Sequence, residues 1–202
     1  KPVIWYNGMN LKEGVDYTLS YANNIEPGTA TVMIKGINNF KNDRYETFVI
    51  TPAPVYNLEA TPTSASSVKL TWNHAHNVTG YEINSGGDHQ KYYGTTSSNS
   101  FEVIGLESGK TYQFSVRSYT MLNGEKKWSV WSEVTAMTDI AAPSDVKGGT
   151  GSKGTATISW SKSANVDGYA VYRATSLDGN YALAATVPLR YGSYTDRYAT
   201  SG

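Results

Sequence analysis

The stretch "SVKLTWNHAHNVTGYEI", residues 67–83, decides how the chain is read. Val68, Leu70 and Trp72 alternate with Lys69 and Thr71, and Tyr81 and Ile83 flank Glu82. A period of two, interrupted by a polar turn, is the pattern of two strands that each bury one face. The pattern returns as "TATISWSKSANVDGYAV" at 155–171, so that Trp72 aligns with Trp160, Asn77-Val78 with Asn165-Val166 and Gly80-Tyr81 with Gly168-Tyr169. Self-similarity at a fixed period marks a repeated module. Ala53-Pro54 and Ala142-Pro143 stand upstream of the copies at nearly the same offset. Proline there has no amide to offer a sheet, which fits a linker or the start of an edge strand.

Outward from Trp72 the alternation continues. Phe101, Val103 and Leu106 follow, then "TYQFSVRSY" sets Tyr112, Phe114, Val116 and Ser118 on one face against Gln113, Ser115 and Arg117. Asn123-Gly124 is a hairpin turn signal. About seven short strands in a module of this length predict an antiparallel sandwich. The composition agrees: charged residues are only 17%, with 16 Tyr, 19 Gly and abundant Thr and Ser, which favours strands and polar turns over helices.

The spacing of Trp72, Tyr81 and "GLESGKTYQFSVRSY" resembles a fibronectin type III domain, with Trp160 and Tyr169 as the counterparts in the second copy. The resemblance implies immunoglobulin-like sandwiches in tandem. It also implies that Leu106 and Tyr112 form a tyrosine corner, the Tyr112 hydroxyl bonding backbone near residue 107 or 108. Three modules are expected: a small β-repeat at 1–51, a fibronectin type III domain at 52–140, and a second at 141–202 that lacks its last strands. Either the chain is cut there, the favoured reading, or another chain supplies the missing strands; homo-oligomerisation is expected only in that second case. Residues 1–51, with "Y-N-G", "L-K-E-G-V-D-Y-T-L-S-Y", "G-T-A-T-V-M-I-K-G" and a closing "F-V-I", resemble a repeat of Firmicutes surface proteins.

No chemistry converges. With no cysteine, a disulfide framework, thiol nucleophile and cysteine-ligated metal are all excluded. His74 and His76 share a predicted loop while His89 falls at the opposite end of a strand, so no metal or cofactor is expected. The carboxylates are scattered, and the Gly-rich stretches lack the strand–helix setting of a phosphate loop. Seventeen basic and seventeen acidic residues cancel, which offers nucleic acid no electrostatic footprint. No apolar run is long enough to span a membrane as a helix. Asn77-Val78-Thr79 is a formal glycosylation sequon, but Asn165 recurs at the aligned position without one, so a turn role is expected.

The order Trp128-Ser129-Val130-Trp131-Ser132 resembles the W-S-x-W-S signature of animal cytokine receptors, in which tryptophans interleave with arginines of the preceding strand. Arg117 lies on that strand, and one exposed cation–π rung is expected to contribute about 0.5–1 kcal/mol. Strand parity puts Trp128 and Trp131 on opposite faces, so only one can be exposed unless a bulge intervenes. The missing cysteine pairs and the bacterial-type repeat favour a structural role. The sequence thus predicts a non-catalytic spacer or adhesion segment, secreted or on the cell wall of a Gram-positive bacterium. The alternative is an accessory module of a larger glycosidase or peptidase, binding cell-wall or host glycans or surface proteins through Tyr92, Tyr93 and Trp131. A cytokine-receptor-like domain is the remote third reading.

Overall fold

A computed structural model describes residues 1–152 and 154–199, and every regular element among them is a β-strand. The end of the expected last domain, residues 200–202, lies outside the described residues. The N-terminal segment holds β1 (Trp5–Tyr6), β2 (Met9–Asn10), β3 (Tyr17–Ala22), β4 (Gly28–Gly36) and β5 (Asp43–Ile50). The middle segment holds β6 (Glu59–Ser64), β7 (Ser67–Thr71), β8 (Gly80–Ser85), β9 (Tyr92–Thr96) and β10 (Ser100–Ile104). It continues with β11 (Thr111–Leu122), β12 (Glu125–Trp128) and β13 (Ser132–Met137). Last come β14 (Ser144–Thr150), β15 (Ala156–Ser161), β16 (Gly168–Arg173), β17 (Ala182–Pro188) and β18 (Ser193–Asp196). The architecture is all-β, with tandem sandwiches after a small N-terminal β-module.

The backbone gathers into two compact units. One takes Lys1–Glu59, Thr71–Phe101 and Gln113–Val134. Its N-terminal part is a hairpin, β1–β2, turned by Asn7 and Gly8 at φ of 46° and 79°, followed by the antiparallel meander β3-β4-β5. Positive φ at both central residues matches the right-handed twist of the flanking strands, which is why Asn-Gly closes so short a loop. Tyr17, Ala30 and Val32 are the buried residues of the meander.

The rest of this unit is one sheet, ordered β12-β11-β8-β9, with β13 also pairing β11. Tyr81, Ile83, Phe114 and Val116 are fully buried on its inner face. The Trp72 ring meets Tyr81 edge-on at 5.1 Å, and the Tyr81 hydroxyl accepts from Ala75 N–H at 2.9 Å. A bulge at Ile83/Asn84 brings Gly94 against Phe101, where an added Cβ would meet the ring at 2.8 Å.

The second unit takes Ala60–Leu70, Glu102–Tyr112 and the chain from Thr135 onward. Val68, Leu70 and Val103 are buried apolar residues of the sheet ordered β10-β7-β6, and Leu106 is buried just beyond β10. The Tyr112 hydroxyl accepts from Glu107 N–H at 2.8 Å. Further on, β14-β15-β18 and β16-β17 form the two sheets of the second repeat. Trp160 and Tyr169 reproduce the first copy closely. Their rings meet edge-on at 5.0 Å, and the Tyr169 hydroxyl accepts from Ser163 N–H at 2.8 Å.

Asp196 closes this repeat. Its carboxylate accepts from Tyr198 N–H at 2.9 Å and from Arg173 Nη1 at 2.8 Å, and these donors, the backbone one foremost, hold its carboxyl below the usual aspartate range. A depressed folded-state value stabilises the fold above the ordinary aspartate pKa of about 3.9, and that contribution is lost as pH falls through the lower folded value. An acid titration followed by Trp160 fluorescence should therefore show less loss of stability below that range in Asp196→Asn than in the unsubstituted chain. Equal acid sensitivity would refute the linkage.

Candidate functional site: a cation–aromatic stack

The register of β11 against β8 places Arg117 opposite Glu82, on the face turned away from Tyr81 and Ile83. Arg117 Nη2 and Nε donate to Glu82 Oε1 at 2.7 and 3.1 Å. Both side chains are largely covered, at 24% and 13% exposure. A carboxylate so far removed from water needs its donors.

β12 stops at Trp128, opposite Tyr119, and β13 resumes only at Ser132. Ser129 makes the break. Its N–H donates to Ser118 C=O at 3.0 Å, while its hydroxyl accepts from Ser118 N–H at 3.0 Å and donates to Val130 C=O at 2.8 Å. A side chain standing in for the ladder at this point lets the strand reset its parity, as a bulge does. This break is the interruption that strand parity requires if Trp128 and Trp131 are to share a face. Both rings flank Arg117, whose guanidinium carbon lies 3.8 Å from the Trp128 ring centre and 4.2 Å from that of Trp131. Val130, 71% exposed, is the residue turned outward.

The stack extends at both ends. Lys126 Nζ lies 4.3 Å from the Tyr119 ring and 5.0 Å from Trp128, and Tyr119 packs on Trp128 at 5.2 Å. On the far side the His89 imidazole stacks on Trp131 at 4.6 Å with an interplanar angle of 20°. Glu133 binds the base of this end, accepting from Gly87 N–H, Gln113 Nε2 and Ser115 Oγ at 3.1, 2.8 and 3.2 Å. The sequence marks neither Glu82 nor Glu133, and it brings His89 forward only as a candidate metal ligand. The one available signal was the outward alternation that puts Glu82 on the same sheet face as Arg117.

This geometry changes the reading of the surface aromatics. Trp131, expected as a contact for a ligand, is covered by Arg117 and His89 and has no open ring face to stack on a sugar. Tyr93 is half-buried, tilted against Phe114 at 5.9 Å with Lys91 Nζ 5.0 Å from its ring. Its neighbour Tyr92 takes the outward position and Tyr93 the inward one, which corrects its expected exposure. Tyr92, 59% exposed, is the member of the expected trio that faces solvent. His74 lies beside the Tyr81 hydroxyl at 3.4 Å, and no three His, Cys, Asp or Glu side chains gather among the described residues. The stack can brace a sheet.

Comparison with known proteins bears on the middle segment above all. The fibronectin type III family model matches residues 52–135, and that segment is a fibronectin type III domain. The chain is similar to an alpha-amylase of Niallia circulans, 44% identical over 71 residues, which is 34% of this chain and 5% of that protein. The chain therefore corresponds to a small part of the length of this curated relative. Among solved structures it is similar to the segment of two fibronectin type III domains from chicken tenascin, at 20% identity and a TM-score of 0.49, covering 74% of this chain and 85% of that one. It is also similar to domains A168–A170 of titin, at 18% identity and a TM-score of 0.38, covering 64% and 51%.

Proposed function

We propose that the chain is a non-catalytic spacer or adhesion segment of a secreted or wall-attached multidomain protein of a Gram-positive bacterium. Fibronectin type III domains are generally non-catalytic, and the aromatic side chains around Arg117 are already engaged with the fold. The observation that carries the reading is the anchoring of the first linker. The Ser118 and Ser132 hydroxyls donate to the carbonyls of Ala53 and Val55 at 2.6 Å each, and Asn73 N–H donates to Tyr56 C=O at 3.0 Å. A linker whose backbone is tied down and carries two prolines transmits position instead of swinging as a Gly/Ser tether does.

A second reading, the accessory binding module of a surface glycosidase, has its own support. The amylase similarity is one strand of it. The other is a cavity of about 740 Å³ in the N-terminal module, where Trp5 and Tyr6 stay exposed beside Asp16, Arg44 and Glu46. Electrophoresis in native gels containing soluble polysaccharides separates the two. The spacer reading predicts unchanged mobility. Retardation that Trp5→Ala abolishes would overturn it in favour of binding.

A further inference from the structure

The asparagine of the N-V-x-G-Y turn has the same backbone in both copies, with φ of 54° at Asn77 and at Asn165. This left-handed conformation is one that Asn, with its short polar side chain, tolerates better than most residues. In both copies the carboxamide also does the same thing. Asn77 Nδ2 donates to the Glu26 carboxylate, at the Glu26-Pro27-Gly28 turn of the preceding module. Asn165 Nδ2 donates to Ser108 C=O at 2.7 Å, at the Ser108-Gly109 turn of the preceding domain. The first bond lies within one compact unit and the second within the other.

We infer that this asparagine is a latch between successive modules, used once at each junction. The inference rests on the spacer reading for its purpose and supplies the means by which such a spacer resists bending. At the second junction the receiving turn is built for it. Gly109 has φ of +60°, and a Cβ added there would stand 3.1 Å from Asn165 C=O. Gly109 N–H donates to Asp139 C=O at 3.1 Å, and Ala141 N–H donates to Ser108 Oγ at 2.7 Å, so the linker and the latch meet on the same two residues. A single hydrogen bond would do little against free rotation. Set on a linker already pinned at both sides, it removes one of the few motions left, where domain motion is otherwise the default. The sequon at Asn77 then needs no glycan, because its amide is already engaged.

The chain has no cysteine, so labels can be placed cleanly. Spin labels at Lys69→Cys and Thr175→Cys, both exposed and both in the compact unit that holds Asn165 and Ser108, report the distance between the two repeats. The unsubstituted junction should give a single narrow distance distribution. Asn165→Asp keeps a residue that accepts positive φ but replaces the donor with a carboxylate facing a carbonyl, and the narrow distribution should be lost. Asn165→Gly, which retains the turn without the amide, should broaden it too, while Trp160 fluorescence verifies that both variants fold. A distribution equally narrow in all three overturns the latch alone. A broad distribution in the unsubstituted junction overturns the latch and the stiff-spacer reading together.

Discussion

Trp72→Ala is expected to lower the stability of the fibronectin type III domain by about 3–5 kcal/mol, the usual cost of emptying a buried aromatic site. Trp72 is 2% exposed and its ring meets Tyr81 edge-on, so the substitution removes both the buried area and the aromatic contact. The Tyr81 hydroxyl also fixes Ala75 N–H, so a relaxing Tyr81 ring would strain the turn that carries Asn77. Domains of this size have a total stability of roughly 5–15 kcal/mol, so the variant should unfold at a much lower denaturant concentration or not fold at all. Trp160→Ala in the second repeat should cost less, because Trp160 is 9% exposed within a smaller buried cluster. Urea unfolding curves check both, and a Trp72→Ala midpoint close to the unsubstituted one would contradict the assignment of Trp72 to the core.

The second large effect is at Arg117. An ordinary surface ion pair contributes about 0–1 kcal/mol, and a single exposed cation–π rung about 0.5–1 kcal/mol. The structure raises the figure. Arg117 fills the space between two indoles and provides both donors to a carboxylate only 13% exposed. Arg117→Ala should therefore cost about 2 kcal/mol or more, through the desolvated cation–π contacts and the carboxylate left without its donors. Arg117→Lys should recover only part of this, because an ammonium cannot lie flat between two rings while forking to Glu82. Glu82→Gln with Arg117→Ala should be milder than Arg117→Ala alone, since no buried charge is then stranded. Denaturant titration of the three variants decides it.

The sandwich was legible because its signal is periodic. Val68, Leu70 and Trp72, or Phe114 and Val116, sit two apart on strands that bury one face, and nothing local competes with that alternation. The turn asparagines were legible for a different reason: both copies keep Asn-Val and the Gly-Tyr beyond it while Thr79 becomes Asp167. The break at 129–131 was not legible. Alternation assumes an unbroken ladder, and the residue that interrupts it, Ser129, does so through a hydroxyl that bonds Ser118 backbone across the sheet. Tyr93 was grouped with its neighbour Tyr92 as a surface aromatic, although adjacent strand residues face opposite ways. The partners of the stack were hidden by distance along the chain, since His89 and Glu133 reach Trp131 and its neighbours from separate loops and strands.

The W-S-x-W-S order thus has a local cause. Its tryptophans grip Arg117, and its serines serve backbone: Ser129 bonds β11 and Ser132 bonds the linker at Val55. The central claim is that these aromatic residues are engaged with the fold and not held ready for a ligand. A double-mutant cycle between Arg117→Ala and Trp131→Ala tests it most directly, with stabilities from urea unfolding. Rings engaged with Arg117 should give a coupling energy of about 1 kcal/mol or more, within the range for side chains in contact, whereas additivity within about 0.3–0.5 kcal/mol would mean that they are not.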